Sequence, residues 1–466
     1  MARQTPGKEG KLDPVLMYEE SLRNEQSVFF DPETFELIID HYFLAGALPD
    51  AVRACEIALQ QHPFTPDLLL NSARLHISCG QNEQAMEAIE KADTLLPNNP
   101  EVILLRADLM FSEGMFKECA ELIKDALERN PGNTGLEFKL AEAFTALDEF
   151  EEAEELFKMV LTDDPAHSAA FYELLNLLEL TDKTEDTIPW FAAFTDRDPF
   201  SVAAWLNLGH VYNRAEQYES AIEAFEYAAA IQDDNANAHF GLGNSLMNLE
   251  KYPEALQAFL RARDLEEPGA LTLSCIGACY EQMEMYDKAI AGYKQALRTD
   301  ETCDEAWYGI GMCLLAQDKH YESLHFFNKA LALNRDSELT WMGLAQAEFK
   351  TGNVISALEA YETASRLDSS NPDLWLDWSL VYYDQGDFEH SINLITDAIE
   401  EIPGDAELYY RAVVYLIAAG NYKEALVYLE NALILDFDMH SVLFDFFTET
   451  ATQKALYRII EQYRQK

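Results

Sequence analysis

The chain has 466 residues, 48% of them hydrophobic, which is enough apolar content to bury a core and too much for a disordered polymer. Acidic residues outnumber basic ones 83 to 33, a formal charge of −50, so DNA, RNA and anionic lipid surfaces are repelled rather than recruited. Seven scattered cysteines do not read as a disulfide framework, the N-terminus lacks the apolar centre of a secretory signal, and no apolar stretch approaches the roughly 18 residues of a membrane span; together these point to a reduced, cytoplasmic chain.

Residues 1–31 read as a polar N-terminal tail and a short helical segment, "PVLMYEESLRNEQSVFF". From residue 32 the sequence becomes periodic. The stretch "WLNLGHVYNRAEQYESAIEAFEYAAAI" (205–231) places Trp205, Gly209, Tyr212, Ala221, Phe225 and Ala228 at helical spacing along two helices. A step of 34 residues from Gly209 meets Gly243, Gly277 and Gly311, then Ala345 and Ser379. The same step from Ala228 meets Ala262, Ala296, Ala330, Ala364, Ala398 and Ala432, and backwards it reaches Ala126, Ala92 and Ala58. Twelve units of 34 residues fit residues 32–439 without an insertion. Small residues at Gly209 and Ala221 let two helix backbones approach, and Trp205, Tyr212 and Phe225 fill the space between hairpins. A Pro such as Pro63, Pro97, Pro131, Pro165 or Pro199 ends each early unit and stops its second helix.

The pattern W-x2-L-G-x2-Y, then A-x3-F-x2-A, then P, at this period, resembles the tetratricopeptide repeat (TPR), a helix–turn–helix unit. The resemblance implies an all-α fold, a right-handed α-solenoid of twelve 34-residue repeats with a C-terminal capping helix. The N-terminal "MYEESL…FFDPETFELIIDHYF" is also similar to the start of uncharacterised TPR proteins of Bacteroidetes type. No single hairpin can bury its apolar face, so neighbouring repeats must stack.

Repeat 5, residues 168–201, is degenerate. Thr187 and Phe194 stand where the second helix wants small residues, and "DKTED" with Pro189 should interrupt or delay that helix. The expected consequence is a shortened helix or a change of curvature, with early proteolysis near 180–190. Residues 440–466 read as a final capping helix with a charged, solvent-facing side.

The chemistry-bearing residues do not assemble into a catalytic or metal site. Cys275 and Cys279 share a helix face near Cys313, but no matched His or Cys completes a four-ligand zinc set. The acidic run 148–156 lacks the spaced oxygen ligands and central Gly of a calcium loop. No glycine-rich phosphate loop follows a strand and the ten histidines form no acid–base–nucleophile group, so neither enzymatic activity nor a cofactor is expected.

Binding is the remaining role. In TPR proteins the first helix of each repeat lines the concave face, and in repeats 6 and 7 the corresponding positions hold five Asn among twelve and no acid. An Asn side chain both donates and accepts, which suits the backbone of an extended peptide. The predicted partner-binding set is Asn176, Asn207, His210, Arg214, Asn237, Phe240 and Asn244, with Phe240 as the apolar contact; replacing Asn207 and Asn244 should weaken binding without touching stability. Glu33, Glu36, Asp40, Asp67, Glu101 and Asp108 of repeats 1–3 would attract a basic segment of the same ligand. Tyr308, Met312, Met342, Phe349, Tyr383 and Tyr410 of repeats 9–12 offer an alternative surface. The Lys, Asn and Arg clamp by which some family members hold a chaperone's acidic tail is missing, since Leu206, His210, Gly241, Leu271 and Cys275 stand in its place. The reading is therefore a non-enzymatic scaffold or adaptor for a protein or peptide; the alternatives are a structural or self-associating acidic solenoid, or the accessory subunit of an enzyme complex.

Overall fold

The period of the sequence is the period of the helices. In the computed structural model, first helices begin at Pro32, Pro66, Pro100 and so on every 34 residues to Ala406, each 13 residues long; second helices begin at Leu48 and follow at the same interval to Tyr422, each 14 residues long. The description covers residues 14–24, 28–447 and 456–461, and among them no residue lies in a strand.

Two local devices set this rhythm. Most first helices are capped by side chains: Asp31, Asn99, Asn133, Ser201, Asn235, Ser337, Asn371 and Asp405 each accept a hydrogen bond from a backbone N–H two or three residues on. The turn inside each hairpin uses a left-handed residue at one fixed position. It is Gly46, Gly80, Gly114, Gly352, Gly386 and Gly420 in the outer repeats, but Asp148, Asp182, Glu216, Glu250, Glu284 and Asp318 in the central ones. A side chain at positive φ crowds the following carbonyl, which glycine avoids. Replacing Glu250 by Gly should therefore stabilise repeat 7 by about 0.5–1 kcal/mol, read as slower amide exchange in residues 236–265. Unchanged or faster exchange there would count against backbone strain at this turn.

The chain forms two units, residues 1–217 and 218–466. In the first, the helix Pro14–Arg23 puts Tyr18 against Phe30 and Tyr42 and so closes the first repeat's core; residues 1–13 lie outside the described residues. Repeat 5 differs from expectation. Its second helix, Thr184–Arg197, is neither interrupted nor shortened, and Pro189 sits inside it. What changes is the packing. Leu175 and Thr187 replace the small residues that face each other in most other hairpins, and both are buried, so the two helices of repeat 5 lie farther apart than in the other hairpins within either unit.

In the second unit the small residues have a definite task. The ring of Phe327, fully buried, lies against Gly311 of its own repeat and Gly343 of the next; a Cβ on either would stand 2.7 or 2.6 Å from a ring carbon. Tyr293 is clasped in the same way by Gly277 and Gly309, and Phe225 lies against Gly241. Glycine at these sites is a matter of space, not of backbone freedom.

The tryptophans at the start of first helices act as ties. Trp205, expected to fill space between hairpins, is only half-buried and donates its indole N–H to the carbonyl of Pro199 at 3.0 Å. Trp307, Trp341 and Trp375 donate to Glu301, Arg335 and Ser369, each six residues back, at 2.8–3.0 Å. The cap comprises several helical pieces: a 3-10 turn Asp438–Ser441, a short helix Val442–Phe446, and a helical segment 456–461 whose Leu456 and Ile460 are buried in the last repeat's core.

Candidate peptide-binding surface

The seven predicted contact residues all lie on first helices, but their environments differ. In the first unit, Asn176 is exposed on the helix Ser168–Leu180. Arg214 is exposed and ion-paired with Glu179, one repeat earlier. Asn207 is committed within the chain. Its Nδ2 donates to the Pro165 carbonyl at 2.9 Å, beside Ala204, Phe191 and Phe194. His210 is largely buried, its ring 5.9 Å from that of Phe171 and 6.1 Å from that of Tyr172. Burial, with the Arg214 guanidinium adding to it, pushes the imidazole down to about 4. His210 is thus a neutral packing group rather than a charged contact, and the expectation that Asn207 can be removed without affecting stability is corrected. Asn207→Ala should cost about 1 kcal/mol through the lost bond and the carbonyl it leaves, seen as faster amide exchange around residues 165–176. Unchanged exchange there would mean that water replaces the amide fully.

In the second unit, Asn237 is exposed and Phe240 half-buried, its ring 5.5 Å from that of Phe259 in an edge contact. Both line an open cavity of about 200 Å³ whose other walls include Glu266, Glu267, Leu271 and Thr272. Asn244, one turn further along the same helix, is half-buried. The sequence reading missed Glu266 and Glu267, because they fall in the turn before the helix Ala270–Gln282 and not on a groove-lining helix. Their signal was visible: "EEPG" replaces the usual turn, and Leu273 replaces the tying Trp of that repeat.

The acids of repeats 1 and 2 crowd together. Desolvation first, then the charges of Asp67, Asp40 and Glu33, push the Glu36 carboxyl above its usual range. Some are already neutralised: Arg74 pairs with Glu101, and Lys139 holds Asp108 at 2.7 Å. The alternative aromatic and Met surface of repeats 9–12 is partly core. Met342 and Tyr410 are buried, and the Tyr410 hydroxyl donates to the Asp436 carbonyl at 2.6 Å. Inner-face carboxylates in this unit are likewise satisfied internally. Tyr293 donates to Glu281 and Gln346 donates to Asp377, each at 2.6 Å, and burial raises both acids. Among the described residues no group of His, Cys, Asp and Glu is arranged to hold a metal ion, and the cysteines are free thiols.

Paired helices of constant length, repeated in register, define a helical-hairpin repeat protein. Two models of the tetratricopeptide repeat match, one over residues 42–109 and 110–178, the other over 188–236, 214–270, 280–338, 342–406 and 376–440. The chain belongs to the tetratricopeptide repeat family. Among solved structures it is similar to the "APC/C hetero-tetramer Cut9-Hcn1", at 14% identity and a TM-score of 0.47, over 89% of this chain and 98% of that one. It is also similar to "YrrB: a TPR protein with an unusual peptide-binding site", at 20% identity and a TM-score of 0.32, over 40% of this chain and 94% of that one. No curated relative matches.

Proposed function

We propose that this protein is a non-enzymatic scaffold or adaptor of the cytoplasm that captures an extended protein segment carrying a basic residue. The observation that supports this reading best is the cavity formed by Asn237, Phe240, Glu266 and Glu267. An amide can bracket the ligand backbone, an aromatic ring offers a face, and two carboxylates select Lys or Arg. Asn244 would extend the contact along the same helix; within the first unit Asn176 and Arg214 are separate candidate contacts, with Asn207 and His210 as their supports. Free thiols and the absence, among the described residues, of any helix long and apolar enough to cross a membrane agree with the proposed location.

The test starts with affinity capture from cells and proceeds to titration of the captured segment. Asn237→Ala combined with Phe240→Ala should weaken binding at least about tenfold with the helical signal unchanged, since each lost contact is worth about 1 kcal/mol or more. Exchanging the ligand's basic residue for Ala should remove most of the salt dependence. Undiminished affinity in the double variant would move the ligand elsewhere.

A further inference from the structure

In repeat 4 a carboxyl stands where other repeats place a ring N–H donor. Trp205, Trp307, Trp341 and Trp375 donate to the carbonyl six residues back, and His239 does the same through Nε2 to Asp233 at 3.1 Å. The repeat-4 member of that column is Glu137, on the helix Thr134–Ala146. It is 5% exposed, its Oε2 is closed off from solvent, and among the described residues no hydrogen bond or ion pair reaches its carboxyl. The carbonyl six residues back belongs to Pro131, in the turn between repeats 3 and 4, and among the described residues no backbone N–H donates to it. A shielded acceptor without a donor is costly, and a carboxylate more so. A carboxyl that keeps its proton is itself a donor.

We propose that Glu137 is a proton-dependent tie: its protonated carboxyl donates to the Pro131 carbonyl and holds the turn between repeats 3 and 4, and loss of the proton releases that turn. His239 shows that no indole is needed to reach this carbonyl, and the oxygens of Glu lie as many bonds from Cα as the Nε2 of His. The surroundings supply no cation in place of the proton. Asp163, the last residue of the second helix of the same repeat, acts on Glu137 with a like charge. The turn 130–133 carries no titratable side chain, and Arg129, which ends the preceding helix, is bonded to Asn98 at 2.8 Å. Lys139, on the helix of Glu137 itself, is held by Asp108 and Glu142, and His167 turns its ring to Phe138 and caps the next helix. Desolvation first, then the charge of Asp163, push the Glu137 carboxyl above its ordinary 4.5. Between 4.5 and the raised value the folded chain keeps a proton that the unfolded chain has lost. The tie is therefore complete below 4.5 and is lost as the pH rises through that window, the reverse of a carboxylate stabilised by an ion pair.

Carbon NMR of the full chain, labelled at carbonyl and carboxyl carbons, tests this from pH 4 to pH 8. The Glu137 carboxyl, identified by its loss in Glu137→Gln, should titrate above the exposed glutamates, and the Pro131 carbonyl carbon should shift with the same midpoint. Amide exchange in residues 134–146, corrected for intrinsic rates, should accelerate about tenfold over that range, the effect of an acceptor left without its donor. Glu137→Gln keeps a donor that does not titrate, so its exchange should show no such acceleration and at pH 8 should be at least about fivefold slower than in the wild type. Asp163→Asn removes the like charge and should move the midpoint to lower pH. Glu128→Gln, at an exposed site on the preceding helix, should leave it in place. A Glu137 carboxyl that titrates with the exposed glutamates would overturn the proposal. So would a Pro131 carbonyl that stays still while Glu137 titrates, or a Glu137→Gln chain that keeps the wild-type pH response.

Discussion

Replacing Phe327 by Ala should destabilise the hairpins of repeats 9 and 10 by about 3–5 kcal/mol, the usual cost of emptying a fully buried aromatic site. The site cannot collapse easily, because Gly311 and Gly343 bring the helix backbones of two repeats close to the ring and offer no side chain to fill the gap. In a long array of repeats a single global unfolding energy is poorly defined, so the effect belongs to amide exchange within residues 304–350. With a tenfold change for each 1.4 kcal/mol, exchange there should accelerate by roughly two to three and a half orders of magnitude. Distant repeats should change much less. The reciprocal change, Gly343→Leu, should cost about 1–3 kcal/mol in the wild-type chain by overpacking, and much less when Phe327 is already Ala. Equal costs in both backgrounds would show that the ring and the glycine do not meet.

How much of this was legible in the sequence depends on which residues kept the period. Gly309, Gly311, Phe327 and Gly343 recur at a step that only a helical hairpin repeat explains, so the helices and their contacts followed from spacing. The same column that holds Gly46 holds Glu250, and a reading tuned to large and small residues passes over it, since the common property is a left-handed backbone and not a side-chain size. Repeat 5 misled for a related reason. Pro189 suggested a broken helix, but the helix is complete, and the disturbance lies in Leu175 and Thr187, which hold two intact helices apart. The binding surface was least legible. A groove-facing position tells where a side chain starts, not what it reaches: Asn207 turns to a carbonyl 42 residues back, and His210 is absorbed by two aromatic rings. Glu266 and Glu267 join Phe240 only because a turn between repeats folds beside it.

Acidification should loosen repeats 5 and 6 of the first unit before exposed carboxylates begin to titrate. The cause is His210, whose imidazole is held down to about 4 by burial beside Phe171 and then by the Arg214 guanidinium, against an ordinary value of 6.5. The sign follows from linkage. Between those two values the unfolded chain binds the proton and the folded chain does not, so stability falls as the pH drops below 6.5 and the loss levels off below 4. A displacement of this size corresponds to about 3 kcal/mol at full effect, from 1.36 kcal/mol for each unit. Buried carboxyls act in the opposite direction over part of the same range: Glu36 and Glu137 of the first unit and Glu281 and Asp377 of the second are raised by burial, so their protonation relieves a cost, but none of them lies in the helices 168–180 and 202–214. Amide exchange in the helices 168–180 and 202–214, followed from pH 7 to pH 4 and corrected for intrinsic rates, separates the two. It should accelerate in the wild type and lose most of that dependence in His210→Phe, which keeps the ring and removes the proton site. A His210→Phe chain with the same acid response would assign the loss to the carboxylates and leave the buried imidazole without a part in it.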